Sequence, residues 1–464
     1  MASSEPAALP AADVGTLPAD VQRLLQRALL PAQALSVVVH EVGRPQPLLA
    51  WQASQAVNPA SLAKLFVTAA ALDQLGPAWT WATPVWLAGP VRDGVLEGAL
   101  HIKGSGDPKL VLERLWLLLR RVRQLGVREI RGDIVLDNSA FAADDTEPGA
   151  FDGEPARPYN VRADALLFNH KAVHYSFVPE PAQGSARVLV EPPLAGAPAP
   201  RSVPLAGGPC GDWRSALKPQ WADGGQLRFA GHYPTACGEL NWALADLSPA
   251  TYNARLLQGL WQEMGGRLGG RVRDGLAPAA TAPTFELQSP PLLEVVREIN
   301  KFSNNVMAQQ LFLTLAAQQA GGGGATPATA REGLRQWITT RLGEPGGELV
   351  VDNGSGLSRE GRASARLLAR LLLLAERSPW AAEMASSLPI SGVDGTMRRA
   401  RGATGRAHLK TGSLRDVMGV AGYVLGDSGR RYVLAAIVNH AQAAGARPAL
   451  DALLQWVQQD APGR

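Results

Sequence analysis

At 464 residues the chain is too long for one ordinary hydrophobic core, so two or three domains are expected. Hydrophobic residues make up 46% and charged residues 19%, a globular balance, and 45 basic against 41 acidic residues leave a net charge of +4. That excess is too small to indicate a nucleic-acid partner, and no stretch reaches the ~18 consecutive apolar residues of a spanning helix. The start, Met-Ala-Ser-Ser-Glu-Pro-Ala-Ala, lacks the basic and apolar parts of a signal peptide. Two readings stay open: a cytosolic protein, or a mature secreted one with a new initiator Met. Cys210 and Cys237 suit one disulfide in an oxidising compartment or two buried thiols. Positive charge is carried by 38 arginines and only seven lysines. Arginine cannot lose its proton to act as a base, whereas a desolvated lysine can, so the positions that keep lysine are informative.

In chain order, residues 1–19 read as a flexible, Ala/Pro-rich arm. Residues 34–40 (Ala-Leu-Ser-Val-Val-Val-His) read as a strand, followed by the turn Gly43-Arg44-Pro45. Asn58-Pro59-Ala60-Ser61 then opens a helix to about Leu75, with Asn58 as N-cap, Pro59 in first position and Leu62, Leu65, Phe66, Ala69 and Leu72 as its apolar stripe. Residues 84–282 change texture: short β-like runs at 100–103, 133–136 and 187–190 lie between Gly-, Pro- and Asp-rich turns. A single strong helix is expected there at 110–125, and 192–209 reads as an Ala/Pro/Gly loop. Helices return at 291–301, 306–319 and 331–342, with 321–324 as a flexible joint. A hairpin of 420–424 and 432–438 and a last helix at 447–458 close the chain.

Three short patterns carry chemistry. Ser61-Leu62-Ala63-Lys64 places a hydroxyl and an amine on one helix face, where a neutral Lys64 can take the Ser61 proton without histidine. The plain alternative is a helix-start serine with a surface lysine, and a second match, Ser215 to Lys218, runs straight into Pro219, so no helix continues from it. Ser303-Asn304-Asn305 sits between two helical patterns, where capping alone is the ordinary explanation. Lys410-Thr411-Gly412 ends a strand and precedes Ser413; it reads either as an edge strand guarded by lysine or as a strand against which an extended peptide can lie.

Together and in this order, Ser-x-x-Lys, Ser-x-Asn and Lys-Thr-Gly resemble the penicillin-recognising serine enzymes, D,D-peptidases and serine β-lactamases. Ser61 and Ser303 are 242 residues apart, more than a compact β-lactamase would place between them. That insertion makes the chain similar to the D-Ala-D-Ala carboxypeptidase/endopeptidase family of penicillin-binding protein 4, the low-molecular-mass class C penicillin-binding proteins. The runs 352–359 (Asp-Asn-Gly-Ser-Gly-Leu-Ser-Arg), 391–397 (Ser-Gly-Val-Asp-Gly-Thr-Met), 409–416 and 104–108 (Gly-Ser-Gly-Asp-Pro) carry the likeness as well, which spans residues 35–458.

The resemblance implies an α/β fold: a transpeptidase-like domain, an antiparallel sheet flanked by helices, at 20–83 plus 283–464. A β-rich insertion at 84–282 is expected as two nested subdomains. It implies a serine-type peptidase acting on peptidoglycan stem peptides in the periplasm, its signal peptide removed, with no cofactor and no metal and with β-lactams as covalent inhibitors. Ser61 would be the nucleophile and Lys64 the base. Ser303, Asn305 and Lys410 would relay protons and hold the substrate, with Thr411, Gly412 and Ser413 along it, and the N–H groups of Ser61 and Ser413 would form an oxyanion hole. Arg359 would bind the free carboxylate of a diaminopimelate side chain. The family's acidic residue for that side chain's amine falls near Ala156, with Glu154 the nearest carboxylate. His170 and His174 lack partners in a metal-binding pattern, and no Gly-x-Ser-x-Gly elbow is present, which argues against an α/β-hydrolase. A fast-deacylating β-lactamase or esterase and a non-catalytic peptidoglycan sensor are the competing functions. An intact Ser61, Lys64 and Lys410 speak against the sensor, because binding alone needs no nucleophile–base pair.

Overall fold

The computed structural model describes residues 9, 10, 12–143, 146–196, 200–222, 226–321 and 324–461. The chain divides into two compact units, Met1–Thr80 with Pro290–Arg464, and Trp81–Ser289. The second begins and ends further out than the composition change suggested. Its entering strand, Ala82–Ala88, pairs antiparallel with its leaving strand, Phe285–Gln288, so both belong to it.

The first unit is built on a five-stranded antiparallel sheet in the order Leu49–Trp51, Leu35–Glu41, Arg431–Asn439, Val417–Leu425, Ala407–Leu414. Seven consecutive residues, Tyr432 to Val438, are buried, as a strand covered on both faces requires. One face packs Val37, Val39, Leu434, Ala436 and Val424 against Leu450, Leu453 and Val457 of the last helix, Arg447–Gln458, and Val21 and Leu25 of Ala19–Arg27. Helix Ala365–Glu376 packs on the central strands and on the helices around Lys64–Gln74. The sequence left that helix unassigned, although Ser364 caps it by accepting from the Leu367 N–H.

The segment after Asn58 departs from the expected helix. Residues Ala60–Ala63 form a 3-10 turn and the α-helix begins only at Lys64, running to Gln74. Ala60 has φ +46°, a left-handed conformation uncommon for a residue with a side chain, and the Asn58 side-chain oxygen, Oδ1, accepts from its N–H at 2.8 Å. Nor is the helix a one-sided stripe: every residue from Lys64 to Leu72 is buried, because helices Leu292–Phe302, Asn305–Gln319, Pro327–Leu342 and Ala365–Glu376 surround it. Its end is held by Asp73, which accepts from the indole N–H of Trp337 at 2.9 Å and of Trp380 at 3.4 Å and pairs with Arg341 at 3.0 Å.

Residues 12–18 are more ordered than a flexible arm: Val14 bridges Ala50 at the far edge of the sheet and Leu17 is buried in the core. Residues 1–8 and 11 of that arm, and Gly322 and Gly323 of the expected joint, lie outside the described residues.

The Trp81–Ser289 unit is β-rich, with two five-stranded sheets, a four-stranded sheet and a hairpin among its described residues. It carries two long helices rather than one, Leu112–Gln124 and Pro249–Glu263. The second buries Tyr252, Leu256, Leu257, Leu260 and Trp261 at helical spacing, with the polar Asn253 buried among them and Gly259 beside the stripe. Within 192–209, read as loop, Ser202–Ala206 is a strand paired with Ser185–Glu191. Phe177, Trp213, Phe229, Tyr233 and Trp242 stack edge-on and face-on inside this unit, and Cys210 and Cys237 are joined by a disulfide.

Asp73 is the single acceptor for two indoles and a guanidinium at the end of the Lys64 helix, so Asp73→Ala strands several donors. It should lower unfolding free energy by about 2–3 kcal/mol in a denaturant titration. A loss below about 0.5 kcal/mol would mean that water replaces the carboxylate at little cost.

Candidate active site

Lys64 and Lys410 are the two most deeply enclosed lysines of the chain, both with 0% exposure. An amine taken out of water needs acceptors, and the fold brings them from separate segments. Lys64 Nζ donates to Ser61 Oγ at 2.9 Å, to the side-chain oxygen of Asn305 at 2.7 Å and to the backbone carbonyl of Ser355 at 2.5 Å. Lys410 Nζ donates to Ser303 Oγ at 2.9 Å and to its neighbour's carbonyl, Thr411 O, at 2.7 Å. The lysine of the edge strand is therefore turned inward and does not guard the edge.

Each partner is placed by local chain geometry. Helix Leu292–Phe302 ends at Ser303, whose φ of +58° takes the left-handed position usually given to glycine, at a cost of about 1–2 kcal/mol. Asn304 then caps the next helix by accepting from the Met307 N–H at 3.0 Å, which frees Asn305, in its first turn, to face Lys64. Ser355 O is presented by a turn centred on Asn353, whose side-chain oxygen accepts from the N–H groups of Ser355 and Gly356 and whose amide donates to Leu357 O. Gly356 sits at φ +74°, where a Cβ would lie 1.9 Å from Ala60 O.

The strand Ala407–Leu414 lies against the Ser61 turn just as closely. A Cβ on Gly412 would stand 2.6 Å from Pro59 O and 3.0 Å from the Leu62 side chain, so glycine here makes room for the Ser61 turn. The outer edge of this strand is covered only at its start, where Ile390 bridges His408 and the Leu409 N–H donates to Pro389 O. By the period of two, Thr411 and Ser413 direct their backbone groups the same way as Leu409. Beyond Leu409 no backbone bond reaches that edge among the described residues. Ser61, Ser303, Thr396, Thr411, Ser413 and Met418 line a cavity of about 310 Å³.

Burial drives both amines toward the neutral form. Lys64 lies well below the ordinary lysine value of 10.5, first by desolvation and second by the positive charge of Lys410. Desolvation brings Lys410 down to about 7. A neutral amine has two N–H bonds and one lone pair. Asn305 and Ser355 offer only acceptor oxygens to Lys64, so its two N–H bonds go there and the lone pair is left for the Ser61 hydroxyl. That arrangement can deprotonate a serine.

Of the residues singled out from the sequence, Ser61, Lys64, Ser303, Asn305, Lys410 and Thr411 come together, with Ser413 on the cavity wall and Gly412 in the packing behind it. Arg359 stands apart from this cluster, more than half exposed, with its guanidinium 4.0 Å from Asp416 in the turn after the Lys410 strand. Glu154, in the other unit, is 3.4 Å from Arg157, while neighbouring Asp152 accepts from Tyr159 and Asn160. The rival pair does not assemble: Ser215 donates to Asp212, and Lys218 is left-handed beyond a five-residue helix. His170 and His174 bond Pro108 O and Asn241. Two contributors had no role in the sequence reading, Ser355 O and Thr396, whose hydroxyl is 2.8 Å from that of Thr411. Both lie in runs of high Gly content, 352–359 and 391–397, the one available signal of close backbone packing.

Residues 17–460 match the D-Ala-D-Ala carboxypeptidase 3 (S13) family. The D-alanyl-D-alanine carboxypeptidase of Actinomadura sp. (strain R39) is 28% identical over 433 residues, covering 88% of this chain and 78% of that protein. DacB of Haemophilus influenzae is 23% identical over 433 residues, 89% of this chain and 87% of its own. The crystal structure of penicillin-binding protein 4 (dacB) from H. influenzae superposes with a TM-score of 0.76 at 21% identity, covering 94% of this chain and 100% of the other, a likeness of fold.

The unfolded chain keeps a lysine protonated up to about 10.5, whereas folded Lys410 is neutral above about 7. Between those limits unfolding takes up a proton, so this residue makes stability rise with pH. Relative to Lys410→Met, the parent should gain about 2 kcal/mol of unfolding free energy between pH 7 and pH 9. Parallel stability curves for the two proteins would show that Lys410 titrates normally.

Proposed function

The chain belongs to the D-Ala-D-Ala carboxypeptidase 3 (S13) family, and on that premise we propose that Ser61 is the nucleophile of a D-Ala-D-Ala carboxypeptidase or D,D-endopeptidase working through an acyl-enzyme. The observation that carries this is the trio of Lys64 contacts, with two pure acceptors and the Ser61 hydroxyl. Lys64 takes the Ser61 proton as Oγ attacks the carbonyl of the penultimate D-Ala. The outward N–H of Ser413 and that of Ser61 receive the developing oxyanion. The peptide C–N bond breaks, the proton reaches the leaving amine through Ser303 and Lys410, and D-Ala or a cross-linked strand departs. Water then adds to the ester, giving its proton back through Lys64 and releasing Ser61. Lys410, neutral or charged near pH 7, gains a full positive charge beside the substrate carboxylate, which favours its protonated form.

The open edge of the Lys410 strand suits an extended stem peptide of peptidoglycan, whose backbone can pair there. A β-lactam offers Ser61 an amide of the same kind; the H. influenzae relative has been crystallised in complex with one. We place the protein in the periplasm, where that substrate lies; the Cys210–Cys237 disulfide suits an oxidising compartment, and no helix is long and apolar enough to cross a membrane among the described residues.

Penicillin should add to Ser61 alone, seen as one modified peptide by mass spectrometry and absent in Ser61→Ala. Lys64→Arg keeps the charge but not the base, so its acylation by a chromogenic β-lactam should fall as far as that of Ser61→Ala, whereas Lys410→Arg should retain a measurable fraction. A Lys64→Arg rate within about tenfold of the parent, ~1.4 kcal/mol in barrier, rules Lys64 out as the base.

Arg359, exposed beside Asp416, is assigned to the second carboxylate of a diaminopimelate-type side chain. Arg359→Ala should slow turnover of such peptides while leaving penicillin acylation near the parental rate. Equal losses on both would make its role structural.

A further inference from the structure

Next to the site, but outside it, lies a third enclosed lysine. Lys301, in the last turn of helix Leu292–Phe302 and two residues before Ser303, has a side chain only 4% exposed. Its Nζ is 2.5 Å from Asp394 Oδ2, and the other oxygen of Asp394 accepts from the Ile390 N–H at 2.7 Å. Burial alone would raise the Asp394 carboxyl, but the bonds from Lys301 and Ile390 hold it below its ordinary range, so the pair is ionic.

The two partners sit on the two segments that frame Lys410. Lys301 precedes Ser303, which receives the Lys410 ammonium. Asp394 belongs to the loop that bridges the Lys410 strand through Ile390 and His408, and two residues later that loop delivers Thr396 to Thr411. The backbones are already in contact, since a Cβ on Gly395 would stand 2.4 Å from Lys301 O.

We propose that the Lys301–Asp394 ion pair is a positioning device: it joins the helix end that carries Ser303 to the loop that carries Thr396, and so sets the Ser303–Lys410–Thr411 spacing. Neither side chain touches substrate. The proposal rests on the reading of Ser303 as part of the proton path, and it predicts that removing the pair acts through Ser303.

The test is a double-mutant cycle on acylation of the full chain by a chromogenic β-lactam, with thermal unfolding followed in parallel. Lys301→Met with Asp394→Asn removes both charges together, leaving no unpaired ion, and the asparagine oxygen can still accept from Ile390. Acylation should slow on the order of 10–100-fold, in the rate constant of the covalent step. On a Ser303→Ala background the same pair of changes should cost less than about threefold. Parental acylation in the folded double variant overturns the proposal, as does a full, additive loss on top of Ser303→Ala. If the double variant does not fold, Asp394→Asn alone enters the same cycle with the same expected pattern. If Ser303→Ala itself acylates at the parental rate, the reading of Ser303 fails and takes the proposal with it, a result distinct from the other two.

Discussion

A lysine amine without water must be met by acceptors on fixed atoms, and most of the first unit can be understood as the means of meeting two of them. The three acceptors of Lys64 come from the 3-10 turn at Ser61, the helix start at Asn305 and the loop at Ser355; Lys410 adds the helix end at Ser303. The most distant acceptor, Ser355, is 291 residues from Lys64 in the chain. None can drift without stranding a buried polar group, an error of about 1–3 kcal/mol each. The same enclosure that demands the acceptors lowers the amines' proton affinity. Structural constraint and chemical competence thus have one origin.

Convergence on this scale needs backbones to touch, and the glycines record where they do. Gly412 lets the edge strand meet Pro59, Gly356 lets the Ser355 loop meet Ala60, and Gly395 lets its loop meet Lys301. The strain at Ala60 and Ser303 belongs to the same picture. Both are left-handed residues with side chains, held there by neighbours rather than by preference, and both sit next to or at a reacting group.

The two lysines, Ser61, Ser303 and Asn305 were legible because side-chain chemistry at fixed spacing is written in the sequence. Ser355 was not, since its contribution is a carbonyl that every residue possesses. Lys301 and Asp394 were not, because an ion pair 93 residues apart follows only from the tertiary fold. Gly412 was assigned to peptide access; that its missing side chain also makes room for Pro59 was not legible, because the contact depends on the tertiary fold. In the fold, the central sheet was anticipated through its C-terminal hairpin, the strand ending at Lys410-Thr411-Gly412 and the strand near residue 35, and only the short edge strand Leu49–Trp51 was missed. The Lys64 helix read as one-sided because Thr68 and Lys64 itself count as polar, though both are buried. Helix Pro249–Glu263 was missed because its buried stripe includes the polar Asn253, with Gly259 beside it. Helix Pro327–Leu342 begins four residues before the expected start, at a Thr326 capping box with Pro327 in first position.

Among the described residues, both margins of the central sheet end in a single bridge: Val14 on Ala50 at one side, Ile390 on His408 at the other. A bare margin is an invitation to any extended chain, including another copy of the same protein, and the inward-turned Lys410 offers no charge to repel it. What remains open, from Lys410 to Ser413, is about 13 Å of strand, enough for the end of a peptide and short for a sheet of another molecule. The two bridges therefore bear on colloidal behaviour as much as on catalysis. A sheet edge left open for only a few residues limits aggregation by keeping its vacancy brief.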